Sequence, residues 1–219
     1  MFVASARDPR FARTLIYNGA TFKGQPVQSY VGGRNGRPLD GATPTSYYLR
    51  KHIVEATSFV TGSEMSYQHI FPFFRYAEVL LNYAEALAAA TQNPDFTGMK
   101  GEVEYTLSPR EALNAVRARY NMPGITETDY AAFVKRLRNE RRVELAFEGH
   151  RFWDIRRWKI GAETTKVYGL TITPQNDGSF SYMRSVIQQR GWEDRMNFYP
   201  IADAELFKNH NLVQNDGWK

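Results

Sequence analysis

The sequence contains no cysteine among its 219 residues, so disulfide bonds and thiolate metal sites are excluded within it. It has no run approaching the roughly 20 apolar residues that a bilayer-spanning helix needs. The residues that follow Met1 lack the apolar core of a secretion signal. The formal net charge of +5 is modest. These absences indicate a globular protein, and the composition does not assign its redox compartment.

The sequence also lacks the short motifs of common enzymes. It has no HExxH zinc motif, no nucleophile elbow and no dinucleotide fingerprint. Gly32, Gly33 and Gly36 neither follow a buried strand nor open a helix, so they do not form a phosphate loop. Basic residues between 135 and 159 are interleaved with acids, and no zinc-finger, RRM or KH signature accompanies them. We therefore expect no catalytic residue, cofactor, metal site or nucleic-acid partner.

Aromatic residues, in contrast, are plentiful, with 13 Tyr, 14 Phe and 4 Trp. Some of them stand in the loop-rich residues 1–69, follow no helical period and neighbour Asn, Gln, Ser and Arg. A flat ring beside planar polar groups suits a sugar, which offers an apolar face and a polar rim. The alternative is that these rings pack on the helical body. The candidate ligand-binding residues are Tyr30, Tyr47, Tyr48, Phe59 and Tyr67.

Helical patterns dominate from residue 70 onward. Ser108 with Pro109 and Glu111 forms a capping-box pattern at the start of one helix. Short extended segments are predicted at 14–17, 58–60, 167–172 and 179–183. Helices are predicted over 73–92, from Ser108 to a stop at Pro123, from 127 or 128 to 147, over 150–159, and near 203–208. This pattern favours a mainly α fold of repeat-like helix pairs, with residues 1–69 as a loop-rich, candidate ligand-binding part and 70–219 as a helical domain.

The densest group of charges lies between residues 140 and 158. Glu140, Glu144 and Glu148 share one helical face, a spacing that two catalytic carboxylates or a metal site could also use. Glutamates on one face point in parallel, and nearby arginines favour their ionised form, so ion pairing is the preferred interpretation. The predicted structural network comprises Glu140, Arg141, Glu144, Glu148, Arg151, Asp154 and Arg157.

Aromatic and apolar residues flank this charge cluster, namely Phe152, Trp153, Ile155 and Trp158. Alternating buried positions on a short helix account for all of them, so core packing is the preferred interpretation. The alternative is a platform on which a sugar stacks. With the arginines around them, we expect these rings and the glutamates to hold the last two helices together.

Four segments carry a resemblance to a known family. They are RYAEVLLNYAEAL at 75–87, EALNAVRARYNMP at 111–123, ERRVELAFEGHRFWDIRRW at 140–158 and the tail between 199 and 218, which begins YPIADAEL. In this order they resemble the carboxy-terminal motifs of the SusD/RagB family of Bacteroidetes. DPRFARTLIYNGATF at 8–22 and YYLRKHI at 47–53 also resemble family segments. The resemblance covers nearly the whole chain, and the third block is its most specific part.

The resemblance implies tetratricopeptide-like helix pairs with a loop-rich, ligand-binding subregion. Family members are outer-membrane lipoproteins that capture oligosaccharides or other nutrients and partner a SusC-like TonB-dependent transporter. The expected function is thus a non-catalytic, surface-exposed glycan-binding component, with the signal peptide and lipid-anchored cysteine in an amino-terminal part that we expect to be missing. No family ligand residue transfers by position. Two alternatives remain open: a helical-repeat interaction scaffold without its own sugar site, and a glycoside hydrolase that uses Glu144 or Glu148.

Overall fold

The computed structural model describes residues 7–218, which form two compact units. The first, here called the helical unit, comprises residues 7–16 and 49–148. The second, here called the loop-and-hairpin unit, comprises residues 17–48 and 149–218. These units divide the chain differently from the predicted boundary at residue 69. The assignment of ligand binding to residues 1–69 stays a prediction.

The helical unit contains α1 (Arg10–Thr14), α2 (Tyr76–Thr91), α3 (Pro109–Ala118) and α4 (Tyr130–Glu144). Its core is apolar and is built from α2, α3 and α4, with Phe133 and Leu137 of α4 fully buried one turn apart. Small side chains on α2 let its neighbours approach closely. The other core residues are Ala77, Leu80, Leu81, Ala84, Ala88, Ala112, Leu113, Val116, Ile125 and Leu145.

The helix ends follow from local chemistry. Ser108 accepts a hydrogen bond from the Glu111 amide, and the Glu111 carboxylate accepts one from the Ser108 amide, which is the predicted capping box. The first turn predicted for α2 is absent, because the backbone at Arg75 is extended with φ −150°. The end of α4 comes three residues before the predicted residue 147, because Phe147 adopts a left-handed φ of 63°.

The strands are short apart from one hairpin in the loop-and-hairpin unit. They are β1 (Leu15–Ile16), β2 (Thr21–Phe22), β3 (Gln25–Pro26), β4 (Tyr48–Leu49), β5 (Gly98–Lys100), β6 (Val103–Tyr105), β7 (Lys166–Pro174) and β8 (Phe180–Gln189). The antiparallel β7–β8 hairpin contains both extended segments predicted between residues 167 and 183. Its register shifts at Val167 and Tyr168, which indicates a β-bulge.

The loop-and-hairpin unit also holds α5 (His150–Arg157) and α6 (Asp203–Lys208). The hairpin anchors the preceding loop, since the Val31 amide donates to the Ile172 carbonyl at 2.8 Å and the Ser46 hydroxyl donates to the Leu170 carbonyl at 2.7 Å. Gly161 lies against the ring of Trp192, where an added Cβ would fall 1.8 Å from a ring carbon. Among the described residues, no helix has the length and apolar character needed to cross a membrane.

Candidate functional site

Three glutamates on or just after α4 are buried within the helical unit. Glu140 and Glu144 lie one turn apart on α4 and are 2% and 4% exposed. Glu140 pairs with Arg10 and accepts a hydrogen bond from Arg117 at 2.7 Å. Glu144 accepts one from Arg10 at 2.8 Å and one from Arg75 at 2.6 Å. Each carboxylate therefore bridges two arginines that are distant in sequence.

Glu148 follows the left-handed turn at the end of α4 and is 7% exposed. Arg75 donates to both of its carboxylate oxygens, from Nε at 2.6 Å and from a terminal nitrogen at 2.8 Å. Lys51 pairs with the same carboxylate and also donates to the Ala146 carbonyl at 2.9 Å. The chain segments before α2 are thus tied to the end of α4.

Arg10 joins this cluster to the beginning of the described chain. The residue is 4% exposed, and its guanidinium contacts Asp8 at 2.6 Å and stacks 5.2 Å above the ring of Tyr120. Burial alone would lower the pKa of Arg10, but its hydrogen bonds to Asp8 and Glu140 outweigh burial and raise it. A buried guanidinium held by several carboxylates fixes α1 in one position on α4.

The electrostatics of this cluster do not suit acid catalysis. Burial alone would raise the pKa of Glu148, but hydrogen bonds from Arg75 and Lys51 hold it below the ordinary value of 4.5. At Asp8, burial alone would likewise raise the pKa, but the hydrogen bonds from Arg10 lower it. A general acid needs a raised pKa, so the arrangement keeps these groups ionised and supports a structural role.

The remaining members of the predicted network lie on α4 and α5. Arg141 donates to the Asn82 side chain at 2.6 Å and lies 3.9 Å from Glu78. On α5, the Arg157 guanidinium donates to Asp154 at 2.9 Å. Arg151 is half-buried on the same helix.

Four cations of the cluster were missed from the sequence, namely Arg10, Lys51, Arg75 and Arg117. They come from four separate segments of the chain, and no local spacing connects them to α4. The available signal was indirect, because three glutamates on one buried face require cationic partners from elsewhere.

A cavity of about 210 Å³ opens beside the cluster, within the helical unit. Charged side chains dominate one part of its wall, and Pro72, Tyr120 and Val143 supply the less polar part. The other lining residues are Arg10, Arg13, Thr14, Lys51, His52, Arg75, Glu144 and Glu148.

The aromatic residues predicted to bind ligand are divided between the units. Tyr30, Tyr47 and Tyr48 belong to the loop-and-hairpin unit, whereas Phe59 and Tyr67 belong to the helical unit. The ring of Tyr30 lies 5.1 Å from that of Phe180, and Tyr47 is partly exposed. Tyr48 donates its hydroxyl to the Asn35 carbonyl at 2.5 Å. Phe59 is 91% exposed and Tyr67 is 41% exposed, so both rings are accessible in the described structure.

Two aromatic side chains of α5 that were predicted to pack in the core are exposed instead. Asp154 on α5 and Trp158, which directly follows this helix, are buried one turn apart, as predicted for Trp158. Phe152 and Trp153 are 41% and 58% exposed because they lie away from the buried side of this helix, so the prediction of core packing is wrong for them.

These two rings form an exposed cluster with Tyr199, here called the α5 ring surface. The ring of Tyr199 lies 6.0 Å from Phe152 and 5.8 Å from Trp153, and it is 54% exposed. The guanidinium of Arg156 stacks 3.5 Å from the centre of the Phe152 ring. Flat rings bordered by a guanidinium combine an apolar contact surface with hydrogen-bond donors.

Comparison with known proteins places the chain in a family. A model of the SusD family matches residues 4–218. The chain belongs to the SusD family. The resemblance found in the sequence and the mainly α fold are thereby confirmed.

The relatives of this SusD family chain include SusD-like protein P2 of Formosa agariphila, which is 33% identical over 146 residues, 65% of this chain and 24% of the relative. A solved SusD-like protein of Bacteroides fragilis is 29% identical, with a TM-score of 0.78 over 98% of this chain and 40% of its own. A SusD-like carbohydrate-binding protein of Bacteroides fragilis is 31% identical, with a TM-score of 0.68 over 94% of this chain and 42% of its own. The chain spans less than half the length of each of these relatives.

Proposed function

We propose that this chain belongs to a non-catalytic glycan-binding component of an outer-membrane nutrient uptake system. The observation that carries the proposal is the structural match, at 31% identity and over 94% of the chain, to a SusD-like carbohydrate-binding protein. The partners would be an oligosaccharide or other nutrient and a SusC-like TonB-dependent transporter. A lipid anchor in an amino-terminal part would hold the full-length protein at the cell surface.

The charge cluster of the helical unit supports binding without turnover. A glycosidase needs one carboxyl group that is protonated near neutral pH, opposite a second carboxylate. Glu144 and Glu148 instead bind Arg75 together, and Glu148 has a lowered pKa. Alterations of Glu144 or Glu148 would accordingly change folding stability and not hydrolysis.

Two groups of rings can provide the sugar contacts. The first is the set predicted from the sequence: Tyr30, Tyr47, Tyr48, Phe59 and Tyr67. The second is the α5 ring surface, whose three rings lie within 6.0 Å of one another and remain accessible in the described structure. We favour the α5 ring surface as the stronger stacking site, because it combines neighbouring rings with the Arg156 guanidinium.

Glycan binding by the full-length protein tests the proposal. A glycan array would identify a bound oligosaccharide, and calorimetry would compare the wild type with Trp153→Ala and Tyr47→Ala. We expect Trp153→Ala to weaken binding about tenfold, the effect of losing a stacked ring. Phe207→Ala is the matched control, because Phe207 is 78% exposed on α6 and lies outside both ring groups.

The outcomes separate the proposed sites. Weakened binding in Tyr47→Ala but not in Trp153→Ala would indicate that the loop rings bind the glycan and the α5 ring surface does not. The absence of binding to any glycan on the array would contradict the proposed function.

An interaction scaffold is the second candidate, and one observation favours it. Ile70, Phe73 and Phe74, just before α2, are each more than 80% exposed, which is unusual for neighbouring apolar side chains. Such a surface suits another polypeptide. Co-purification of the full-length protein with a transporter, without glycan binding, would favour this candidate.

A further inference from the structure

Helix α2 has two apolar faces. One of them belongs to the core of the helical unit and carries Leu80, Leu81 and Ala84. The second, here called the outer face of α2, runs along another side of the helix with a spacing of three and four residues. Its members are Tyr76, Val79, Tyr83, Ala86 and Ala90. A helix that is apolar on two sides packs against neighbours on both.

The polar residues between these faces are used inside the helical unit. Arg141 of α4 donates to the Asn82 side chain at 2.6 Å and lies 3.9 Å from Glu78, which is 8% exposed. Glu78 and Asn82 therefore do not provide the solvated polar face that a surface helix normally has.

The outer face of α2 is open in the described structure. Tyr76 is 69% exposed and Val79 is 54% exposed, and Ala86 and Ala90 are exposed as well. Tyr83 is half-buried, and its hydroxyl donates to a backbone carbonyl of the same unit. The face carries no charged side chain. A continuous row of exposed apolar positions indicates a surface that another part of the protein or a partner covers.

The spacing and size of these side chains fit a second helix. Side chains at helical spacing form a ridge that packs into the groove of a neighbouring helix. Ala86 and Ala90 are small, so a helix can approach closely near the end of α2, whereas Tyr76 and Val79 offer larger contacts near its beginning. The absence of charge is typical of permanent interfaces, which are more apolar than transient ones.

The relatives are long enough to contain such a helix. The two solved SusD-like proteins of Bacteroides fragilis match 98% and 94% of this chain with only 40% and 42% of their own. Because the motifs of this chain resemble carboxy-terminal ones, the rest of a protein of that length would precede α1. Arg10 of α1 and Arg75, which directly precedes α2, both bind Glu144. The preceding chain would thus arrive close to the beginning of α2.

We propose that the outer face of α2 is covered by a helix from the amino-terminal part of the full-length protein. This helix packs its own apolar face against Tyr76, Val79, Ala86 and Ala90, and it completes a helical layer on the side of α2 that lies away from the core. The inference rests on the longer chain that the proposed function also assumes, but it involves neither the ring groups nor a glycan.

The test measures how fast single cysteines react with a thiol reagent in the purified full-length protein. The 219 residues contain no cysteine, and any cysteine elsewhere in the protein is replaced by serine. Val79→Cys and Ala86→Cys place the thiol on the outer face of α2. Val103→Cys is the matched control, because Val103 of β6 is 53% exposed against 54% for Val79. The rate in urea gives the unprotected reaction of each variant, and thermal unfolding establishes that each native variant is folded.

We expect Val79→Cys and Ala86→Cys to react at least about hundredfold more slowly in the native protein than in urea, because a covered thiol reacts only when the structure opens. Val103→Cys should react within about tenfold of its rate in urea. The protection should be the same at low and at high protein concentration and should need no transporter, since the contact is intramolecular.

Reaction of Val79→Cys and Ala86→Cys at the rate of Val103→Cys, in folded proteins, would overturn the proposal. Protection that appears only at high protein concentration would assign the face to a second copy, and protection that appears only with the transporter would assign it to that partner. Either result would also overturn the proposal. Glycan binding decides the proposed function and leaves this inference untouched, so the two fail separately.

Discussion

The glutamates of α4 and the rings of α5 stand within one stretch of sequence but have opposite environments. Glu140 and Glu144 are nearly inaccessible, and each bridges two cations from distant segments. Phe152 and Trp153, a few residues later, are largely exposed and stack with Tyr199. Residue types that suggest catalysis are thus buried in ion pairs, and residue types that suggest core packing are exposed.

The difference arises from what each element must bury. Helix α4 packs Phe133 and Leu137 into the core of the helical unit, which brings its glutamates under the segments that supply the cations. Helix α5 is eight residues long and buries only Asp154, with Trp158 buried directly after its end. Its remaining face is left to solvent or to a ligand.

The largest expected loss of stability comes from substituting Glu144. Glu144→Gln keeps the shape but leaves Arg10 and Arg75 without one of their charged partners inside the helical unit. We expect a loss of about 3–5 kcal/mol in the free energy of unfolding, as for removal of one partner from a buried ion pair. Urea denaturation of the full-length protein measures it. Glu104→Gln, at an exposed glutamate of β6, should change it by less than about 0.5 kcal/mol. Equal effects at the two positions would contradict the structural role.

The two tryptophans of the 140–158 stretch provide a matched pair for the second prediction. Trp158 is 9% exposed and stacks with the Arg157 guanidinium at 4.6 Å, whereas Trp153 is 58% exposed. Trp158→Ala should cost about 3 kcal/mol of unfolding free energy, and Trp153→Ala less than about 1 kcal/mol. Denaturation midpoints of both variants decide this. A larger loss for Trp153→Ala would show that the α5 ring surface is covered within the intact protein.

Acid should weaken the helical unit through Glu148. Its folded pKa lies below the ordinary 4.5 that the unfolded chain regains. As pH falls through about 4.5, the unfolded state binds the proton first, so the contribution of Glu148 is present above this pH and is lost progressively below it. Asp8 acts in the same direction near its ordinary value of 3.8. Denaturation midpoints at about pH 7 and about pH 3.5 should fall less in Glu148→Gln than in the wild type. An identical fall in both proteins would show that Glu148 does not contribute to the loss of stability in acid.

The smallest expected effect concerns a tyrosine that is held by its hydroxyl. Tyr48 donates to the Asn35 carbonyl at 2.5 Å, so Tyr48→Phe should cost about 1 kcal/mol. Tyr199→Phe is the control, because within residues 7–218 the Tyr199 hydroxyl makes no hydrogen bond. Denaturation of both variants measures the difference. A loss of unfolding free energy in Tyr199→Phe and none in Tyr48→Phe would contradict the assignment of the hydrogen-bonded hydroxyl to Tyr48.

Much of the fold could be predicted because its signals are local. The capping box at Ser108, the helix near 203–208 and the extended segments of the β7–β8 hairpin depend on residues close in sequence. The errors at helix ends also have local causes. Arg75 is extended at the start of α2, and Phe147 adopts a left-handed conformation after α4.

The contacts of the site could not be predicted, because they join distant segments. No spacing in the sequence connects Arg10 or Lys51 to the glutamates of α4. The exposure of Trp153 was equally hidden, because a helix of eight residues shows too little periodicity to assign its buried face. The proposed ligand contacts of the loop rings remain predictions.

The central claim is that the α4 carboxylates hold the fold while the α5 rings bind glycan without cleaving it. One measurement tests it most directly: full-length protein is incubated with the oligosaccharide that a glycan array identifies, and binding and product are followed together. The account predicts that the glycan is recovered intact and that Trp153→Ala weakens binding while the protein stays folded. Shortened glycan from the wild type would contradict it.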